Sequence, residues 1–349
     1  MKKITMQQIA EQVGVSKFAV SQALSGKSGV AEETRIRIVQ AANEMGYSRK
    51  AKPPKKEKLA ATESNDYSAF TKNTVIILMP NVRFQSRDSL FWGKIIDGVM
   101  VGLTERKVGV LIVTESFPEL ALKSINPESV LGLVGIGYIA TPLLLDIRQM
   151  DIPFVLIDHE EPLVPSDTVF MSNYDSMKQM TTLVLQSGRR PLRFAGSPKY
   201  SRSFQDRWLG FRIAVEEAGA ELPAPDDPLL QMEEDAYLIV EKEIPKLVAQ
   251  NKLPSAFICG NDFFAYLVLK ALVAHGVNVP EDVAVTGFDH TDEERDPNLP
   301  PLSTVHVPNA IMGRRAVEML FDRLADPDRP FEKMLIQGEI LLRKSFVRE

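Results

Sequence analysis

The sequence contains a single cysteine, and this scarcity bears on its compartment and its chemistry. Cys259 lies in the apolar run Ala-Phe-Ile-Cys-Gly, which favours a buried unpaired thiol over a nucleophile or a disulfide partner. No stretch reaches the roughly 18 consecutive apolar residues of a membrane span, and polar residues rather than an apolar signal core follow Met1, Lys2 and Lys3. We therefore predict a reducing, cytoplasmic location and no membrane partner.

Catalytic signatures are also missing. The chain has no Gly-x-Ser-x-Gly nucleophile elbow, no Gly-x-x-x-x-Gly-Lys-Ser/Thr loop and no Gly-x-Gly-x-x-Gly after a strand. The four histidines lack the short spacing of a zinc site and are interpreted as surface or turn residues: His159, His275, His290 and His306. These absences predict a protein that is not an enzyme and needs no metal or cofactor.

Two short helices joined at a glycine are predicted over residues 5–24. The Thr5 hydroxyl can cap the first helix while Gln8 reaches back to the cap amide, Gly14 allows a tight turn, and Ser16 caps the second helix. This is the pattern of a helix-turn-helix, although small helical bundles without a DNA-binding role share it. The predicted inward-facing residues are Ile9, Ala10, Val13, Ala19, Val20 and Leu24.

A third helix, from about Glu32 to Met45, is predicted to close a three-helix head. The charge of this end supports DNA binding. Residues 1–58 contain twelve Lys/Arg and five Asp/Glu, a net charge of +7, whereas the rest of the chain carries −12 within the total of −5. A basic end joined to an acidic body is typical of a domain that neutralises phosphates.

Residues 48–73 form a polar, lysine-rich linker that Pro53 and Pro54 interrupt. Its lysines are interpreted either as a solvated tether or as a segment that follows the DNA backbone. After the linker, apolar runs alternate with amphipathic helices, which predicts two doubly wound α/β lobes with a ligand between them. The predicted strands are Thr74–Met79, Val108–Val113, Val130–Ile136, Phe154–Ile157, Leu192–Ala195, Ala256–Cys259 and Val283–Thr286, and the predicted helices Phe91–Lys107, Asp175–Ser187, Trp208–Ala218 and Phe263–His275.

Several motifs resemble, in their order along the chain, those of the lactose-repressor/galactose-repressor family of bacterial transcription regulators. The resemblance covers essentially the whole chain except the linker. In the head and in the body the matching segments are Ile9–Ser16, Val20–Leu24, Gly29–Thr34, Gly46–Tyr47, Arg207–Phe211, Asn261–Asp262, Val285–Asp289, Pro301–Thr304 and Leu342–Ser345.

The resemblance implies an α/β protein with an N-terminal three-helix helix-turn-helix head and a two-lobed body with parallel sheets, like periplasmic sugar-binding proteins. It implies a homodimer that binds a pseudo-palindromic double-stranded DNA operator and represses transcription under the control of a small molecule, a sugar. We expect the head at 1–48, an atypical hinge at 49–73 and the body at 74–349. Within the body, we assign 74–170 and 302–327 to the first lobe, and 171–301 and 328–349 to the second.

The resemblance also implies DNA-binding roles for residues of the head and the hinge. Lys17, Phe18 and Gln22 occupy positions that face base edges, and glutamine there suits adenine where an arginine would suit guanine. An aromatic such as Phe18 is equally interpreted as core. Because Pro53 and Pro54 interrupt the linker, the family's hinge helix is either absent or formed only downstream, at about 55–61, with Leu59 as the minor-groove wedge. The implied phosphate contacts are Thr5, Ser16, Ser21, Thr34 and Tyr47.

Five side chains of the body occupy the family's effector positions. Phe91 and Trp92 can stack on a sugar face or belong to the core, and Arg207 can donate a fork of hydrogen bonds. Asp262 is interpreted as a hydroxyl acceptor, as the N-cap of the following helix, or as both. Asp158 is either a ligand residue or a turn former. The alternative function is a sugar-binding module or sugar-processing enzyme with an incidental helical head.

Overall fold

The computed structural model describes residues 5–24, 34, 37, 38, 41, 73–80, 89–114, 122, 125–233, 235–291, 296 and 298–347, without the side chains of Phe18 and of residues 22–24. It divides into two units, Met1–Asp66 and Tyr67–Glu349, which are described separately. In the described part of the chain, no helix has both the length and the apolar character needed to cross a membrane.

The first unit contains the predicted helix pair, α1 (Met6–Val13) and α2 (Lys17–Leu24). The capping box is present: Gln8 N donates to Thr5 Oγ1 at 3.4 Å and Thr5 N donates to Gln8 Oε1 at 2.9 Å. Gly14 ends α1 at φ +75°, in the left-handed region that favours glycine. Ala19 N donates to Ser16 Oγ at 3.1 Å, which confirms the second predicted cap.

Ile9, Ala10 and Val20 are buried in the small core of this unit, as predicted, and they pack with Ile38 and Ala41. The predicted third helix, 32–45, is described only at four residues, all helical. The linker and the expected hinge helix lie outside the described residues.

The second unit contains eleven strands in its described part, arranged in three sheets. The first sheet is parallel and has six strands in the order β10-β5-β4-β3-β1-β2, and the second is parallel with the order β6-β7-β8. β9 and β11 pair antiparallel. The strands are β1 (Thr74–Leu78), β2 (Gly109–Val113), β3 (Val130–Ile136), β4 (Phe154–Ile157), β5 (Asp167–Met171), β6 (Leu192–Ala195), β7 (Ala256–Cys259), β8 (Ala284–Thr286), β9 (Thr304–His306), β10 (Lys333–Ile336) and β11 (Glu339–Leu341).

Helices cover both sheets, which makes the second unit a two-lobed α/β body. α3 and α9 pack against each other beside the first sheet, and α5 and α6 pack together beside the second. The helices are α3 (Leu90–Glu105), α4 (Thr141–Gln149), α5 (Asn173–Gln186), α6 (Arg202–Glu217), α7 (Ala236–Ala249), α8 (Asp262–Ala274) and α9 (Asn309–Ala325), with short 3-10 turns at Pro127–Ser129 and Pro228–Gln231.

Two boundaries differ substantially from the sequence prediction, whereas others differ by one or two residues. α6 begins at Arg202, six residues before the predicted Trp208, because the Ser201 hydroxyl caps it by accepting from Phe204 N at 3.3 Å. Residues 328–349 were assigned to the second lobe, but β10 pairs in parallel with β5 of the first sheet. The end of this segment bonds to the second lobe, where Ser345 Oγ donates to Val285 O at 2.6 Å.

Candidate functional site

A cavity of about 910 Å³ lies in the second unit, with walls from both lobes. It is found where loops follow the carboxyl ends of the parallel strands, the usual ligand position in doubly wound α/β folds. The start of α3 and the loop after β4 contribute from the first lobe, whereas the starts of α6 and α8 contribute from the second. Four of the five predicted effector residues line it: Phe91, Trp92, Asp158 and Arg207.

Arg207 is the most extensively bonded side chain of this cavity. Its Nε donates to Asn173 Oδ1 at 2.8 Å, its Nη1 donates to Gly260 O at 2.7 Å, and its Nη2 lies 2.9 Å from Asp289 Oδ1. The guanidinium also lies 3.8 Å above the centre of the Phe288 ring. These contacts hold the guanidinium in a fixed orientation at the wall of the cavity, where an arginine can donate hydrogen bonds to a ligand.

Asp289 is a site residue that sequence reasoning placed outside the ligand contacts. Asp289 lines the cavity, and its carboxylate balances the charge of Arg207 at the edge of the cavity. Its φ of +103° is rare for a residue with a side chain, and such backbone costs about 1–3 kcal/mol and is concentrated at functional sites. The signal available in the sequence was its position three residues after the end of the buried strand β8.

Asp158 follows β4 with φ +55° and reaches across the cavity, where it accepts a hydrogen bond from the Ser203 hydroxyl of α6. Burial raises the pKa of the Asp158 carboxyl above its ordinary value, while the Ser203 bond and the charge of Arg207 act in the opposite direction. The contact joins the two lobes directly, so Asp158 is more than a turn former.

A charged chain runs beside this contact. Glu160 of the first lobe pairs with Arg202 of α6 and with Lys333 of β10, and Arg202 Nε lies 2.9 Å from Asp206 Oδ1. Within this charged chain of side chains, Glu160 bonds to both lobes, because Arg202 belongs to the second lobe and Lys333 lies on β10 of the first sheet. Neither Glu160 nor Arg202 was singled out from the sequence, because charged loop residues are common and their pairing depends on the tertiary fold.

Phe91 and Trp92 lie in the first turn of α3 and are half-buried. The Ser89 hydroxyl caps this helix, accepting from Phe91 N at 3.2 Å and from Trp92 N at 3.4 Å. The two rings meet edge to face with centroids 4.8 Å apart. Both sequence interpretations therefore hold in part, because each ring packs against the core and also borders the cavity.

Asp262 does not lie at the cavity surface. It is buried, its Oδ1 accepts from the Thr304 hydroxyl at 2.6 Å, and its Oδ2 accepts from Thr291 N at 2.9 Å. Burial, assisted by Asp289, raises the pKa of Asp262 to about 8. Its interpretation as a helix cap is wrong, because α8 begins at Asp262 itself and Asn261 is the cap, with Oδ1 accepting from Phe264 N at 2.9 Å.

The remaining titratable side chains divide between site and core. His159 is half-buried in the loop after β4 and lines the cavity, with its ring 5.5 Å from that of Tyr138. His290 and His306 contact each other, with their Nδ1 atoms 3.1 Å apart. Cys259 is buried and unpaired as predicted, and burial raises the pKa of its thiol.

The predicted DNA-binding residues are described only in part. Thr5, Ser16 and Lys17 are exposed, and Ser21 and Thr34 are half-buried. Phe18 and Gln22 lie within α2, although their side chains are outside the described part. Tyr47 and Leu59 lie outside the described residues. The capped pair α1 and α2, with a basic residue exposed at the start of the second helix, is the geometry of a helix-turn-helix.

Comparisons with known proteins agree with both units. Residues 5–50 match the model of bacterial regulatory proteins of the lacI family, and residues 182–346 match a periplasmic binding protein-like domain. The HTH-type transcriptional repressor PurR of Vibrio parahaemolyticus serotype O3:K6 (strain RIMD 2210633) is 26% identical over 98% of each chain.

Two solved structures share the fold. One is the complex of the transcriptional regulator CelR with cellobiose, with a TM-score of 0.67 and 23% identity over 98% of this chain and all of that one. The other is the lac repressor dimer bound to operator and the anti-inducer ONPF, with a TM-score of 0.64 and 17% identity over 99% of this chain and all of that one.

A helix-turn-helix head and a two-lobed body with a cavity between its lobes define a DNA-binding transcription regulator that responds to a small molecule. The chain thus combines a lacI-family helix-turn-helix domain with a periplasmic binding protein-like domain, and it is similar to transcription regulators such as PurR over its whole length.

Proposed function

We propose that this protein is a homodimeric repressor in the cytoplasm, that it binds a pseudo-palindromic operator, and that a sugar in the cavity controls its affinity for DNA. The observation that carries the effector part is the cavity itself. Aromatic faces of the first lobe, a preorganised Arg207 and the carboxyl groups of Asp158 and Asp289 converge on it. A pyranose presents apolar faces and a hydroxyl edge, and these groups match both.

For DNA binding, we propose the domain boundaries and the contact residues that the sequence predicts. Residues 1–48 form the head, 49–73 the hinge and 74–349 the body. Lys17, Phe18 and Gln22 contact bases, whereas Thr5, Ser16, Ser21, Thr34 and Tyr47 contact phosphates, and Leu59 enters the minor groove.

The proposed control is a change in lobe closure. Asp158 and Glu160 already bond to α6 across the cavity, so a ligand held by both walls favours one degree of closure over others. In a dimer that change alters the spacing of the two heads and hence their fit to two half-sites. No catalytic step is proposed, because the named relatives are transcription regulators.

The proposal is tested by selecting DNA fragments with the purified full-length protein, sequencing them, and repeating the selection with sugars and nucleosides. We expect one pseudo-palindrome whose recovery shifts with a single compound. Recovery of fragments without a shared sequence would contradict the repressor assignment. A shared sequence that no compound shifts would contradict sugar control alone.

A further inference from the structure

Phe263 is an aromatic residue of the cavity for which the sequence suggested no role beyond the start of a helix. It lies in the first turn of α8 and lines the cavity from the second lobe. Its side chain is 53% exposed. An exposed phenyl ring in a concave site is an apolar surface that a ligand can cover.

The neighbouring Phe264 shows that this exposure is not required by the packing of α8. Phe264 is buried, with its ring centroid 5.7 Å from that of Phe204, and belongs to the core of the second lobe. Asn261 fixes this turn by capping Phe264 N. The helix therefore packs into the core through Phe264, which also reaches the cavity wall, and presents the exposed ring of Phe263 to the cavity.

The first lobe presents aromatic rings in the same manner. Phe91 and Trp92 occupy the first turn of α3 behind the Ser89 cap, just as Phe263 occupies the first turn of α8 behind Asn261. All three rings line one cavity. Flat rings on walls from both lobes suit a ligand that itself has a ring with an apolar face, because such faces stack with little loss of side-chain freedom.

We propose that Phe263 determines specificity by stacking on a ring of the effector from the second lobe, while Phe91 and Trp92 contact that ligand from the first. This inference rests on the proposed ligand site and adds a chemical class: the effector is cyclic, with a flat apolar face and a polar edge. A pyranose and a nucleobase share this chemistry, whereas acyclic polyols of similar hydroxyl content do not.

The test uses full-length protein and titrations followed by tryptophan fluorescence and calorimetry. The probes are glucose, galactose, cellobiose, adenine and guanosine as cyclic compounds, with sorbitol and mannitol as acyclic ones. For the cyclic probe that binds, Phe263→Ala should weaken affinity about ten- to a hundredfold, since the variant loses most of the apolar area that the ligand covers. Phe263→Trp should restore it.

The matched control is Tyr237→Ala, because Tyr237 is an aromatic of the second lobe with 56% exposure that lies outside the cavity lining. Both alanine variants should keep the melting temperature of the parent protein, since neither ring is buried. Phe263→Ala with the parent's affinity for a bound cyclic probe overturns the stacking role and leaves the sugar site intact. Binding of the acyclic probes alone overturns the cyclic class, and binding of no probe contradicts the sugar effector itself.

Discussion

The two lobes are built on one plan but offer the cavity different surfaces. In each, a parallel sheet is covered by two helices that cross at glycine: a Cβ at Gly98 of α3 would lie 2.0 Å from Ala310 O, and one at Gly210 of α6 would lie 2.3 Å from Tyr174 O. The second lobe presents Arg207, already fixed by protein acceptors, whereas the first presents the rings of Phe91 and Trp92.

This difference indicates a division of labour between the walls. Orientation of polar ligand groups comes from the second lobe, where the donors are preorganised before any ligand arrives. The first lobe supplies the rings of Phe91 and Trp92, and its Asp158 and Glu160 side chains bond to α6 across the gap, although Glu160 also pairs with Lys333 of its own lobe. The site is therefore complete only when the lobes are close together.

The largest effect is expected from Arg207→Ala, which removes the fixed donor of the second lobe. Asp289 would lose its buried cation, which costs roughly 3–5 kcal/mol of the free energy of unfolding. Effector binding should be lost while operator binding remains, as measured by urea unfolding, calorimetry and DNA mobility shift. Arg212→Ala on the same helix is the control, because Arg212 is exposed and forms its ion pair with Glu216 at the helix surface. An unchanged ligand affinity in Arg207→Ala would show that the cavity is assigned wrongly.

The common helix crossing is tested by Gly98→Ala and Gly210→Ala. Each added Cβ meets a backbone oxygen that cannot move alone, so each should cost up to about 3 kcal/mol of unfolding free energy. Gly219→Ala is the control: no atom lies within 4 Å of its Cβ, and its φ of +60° limits the cost to about 1 kcal/mol. Calorimetry that finds one lobe sensitive and the other tolerant would break the parallel between them.

The second lobe should also respond to pH through Asp262. Because burial raises its folded pKa to about 8, the folded protein binds a proton that the unfolded chain releases near pH 4. Stability should therefore fall as pH rises from about 4 to about 8, by up to about 1.4 kcal/mol per pH unit, and level off above. Asp262→Asn keeps both hydrogen-bond partners and should remove this part of the slope. If the melting temperatures of the parent protein and of Asp262→Asn change equally from pH 5 to 8, Asp262 is not the source of this pH dependence.

The smallest effect is expected at the charged chain between the lobes. Glu160→Gln removes its central charge, but Arg202 and Lys333 are about half exposed, so the pair contributes at most about 1 kcal/mol. Effector affinity should fall by up to about fivefold and lose part of its salt dependence. Glu216→Gln on α6 should leave both unchanged, because Glu216 forms its ion pair with Arg212 of the same helix. A salt dependence identical to that of the parent protein would exclude this role.

The sequence predicted the buried strands best. β3, β4, β6 and β7 begin and end as predicted, because an apolar run bounded by turn residues carries its own limits. The start of α6 was missed because Arg202 and Ser203 show no apolar periodicity. The Ser201 cap determines where this helix begins, and a capping hydrogen bond does not depend on such periodicity.

The parts of the site that were missed depend on contacts between distant segments. Asp289 meets Arg207, Glu160 meets Lys333 and β10 meets β5 only in the folded body. No local pattern marks such pairs. The position of Asp262 likewise depends on Thr304 of another segment, which turned a residue of the family motif away from the cavity surface.

The passage of the chain between the lobes also sets how they can move. It passes between them near residues 171–173, 302–309 and 336–345. Two bodies tethered at one point can swivel freely, whereas three separate tethers restrict how the lobes rotate against each other. A ligand that contacts both walls of the cavity, from Phe263 to Asp158, therefore acts on lobes whose relative movement the chain itself already limits.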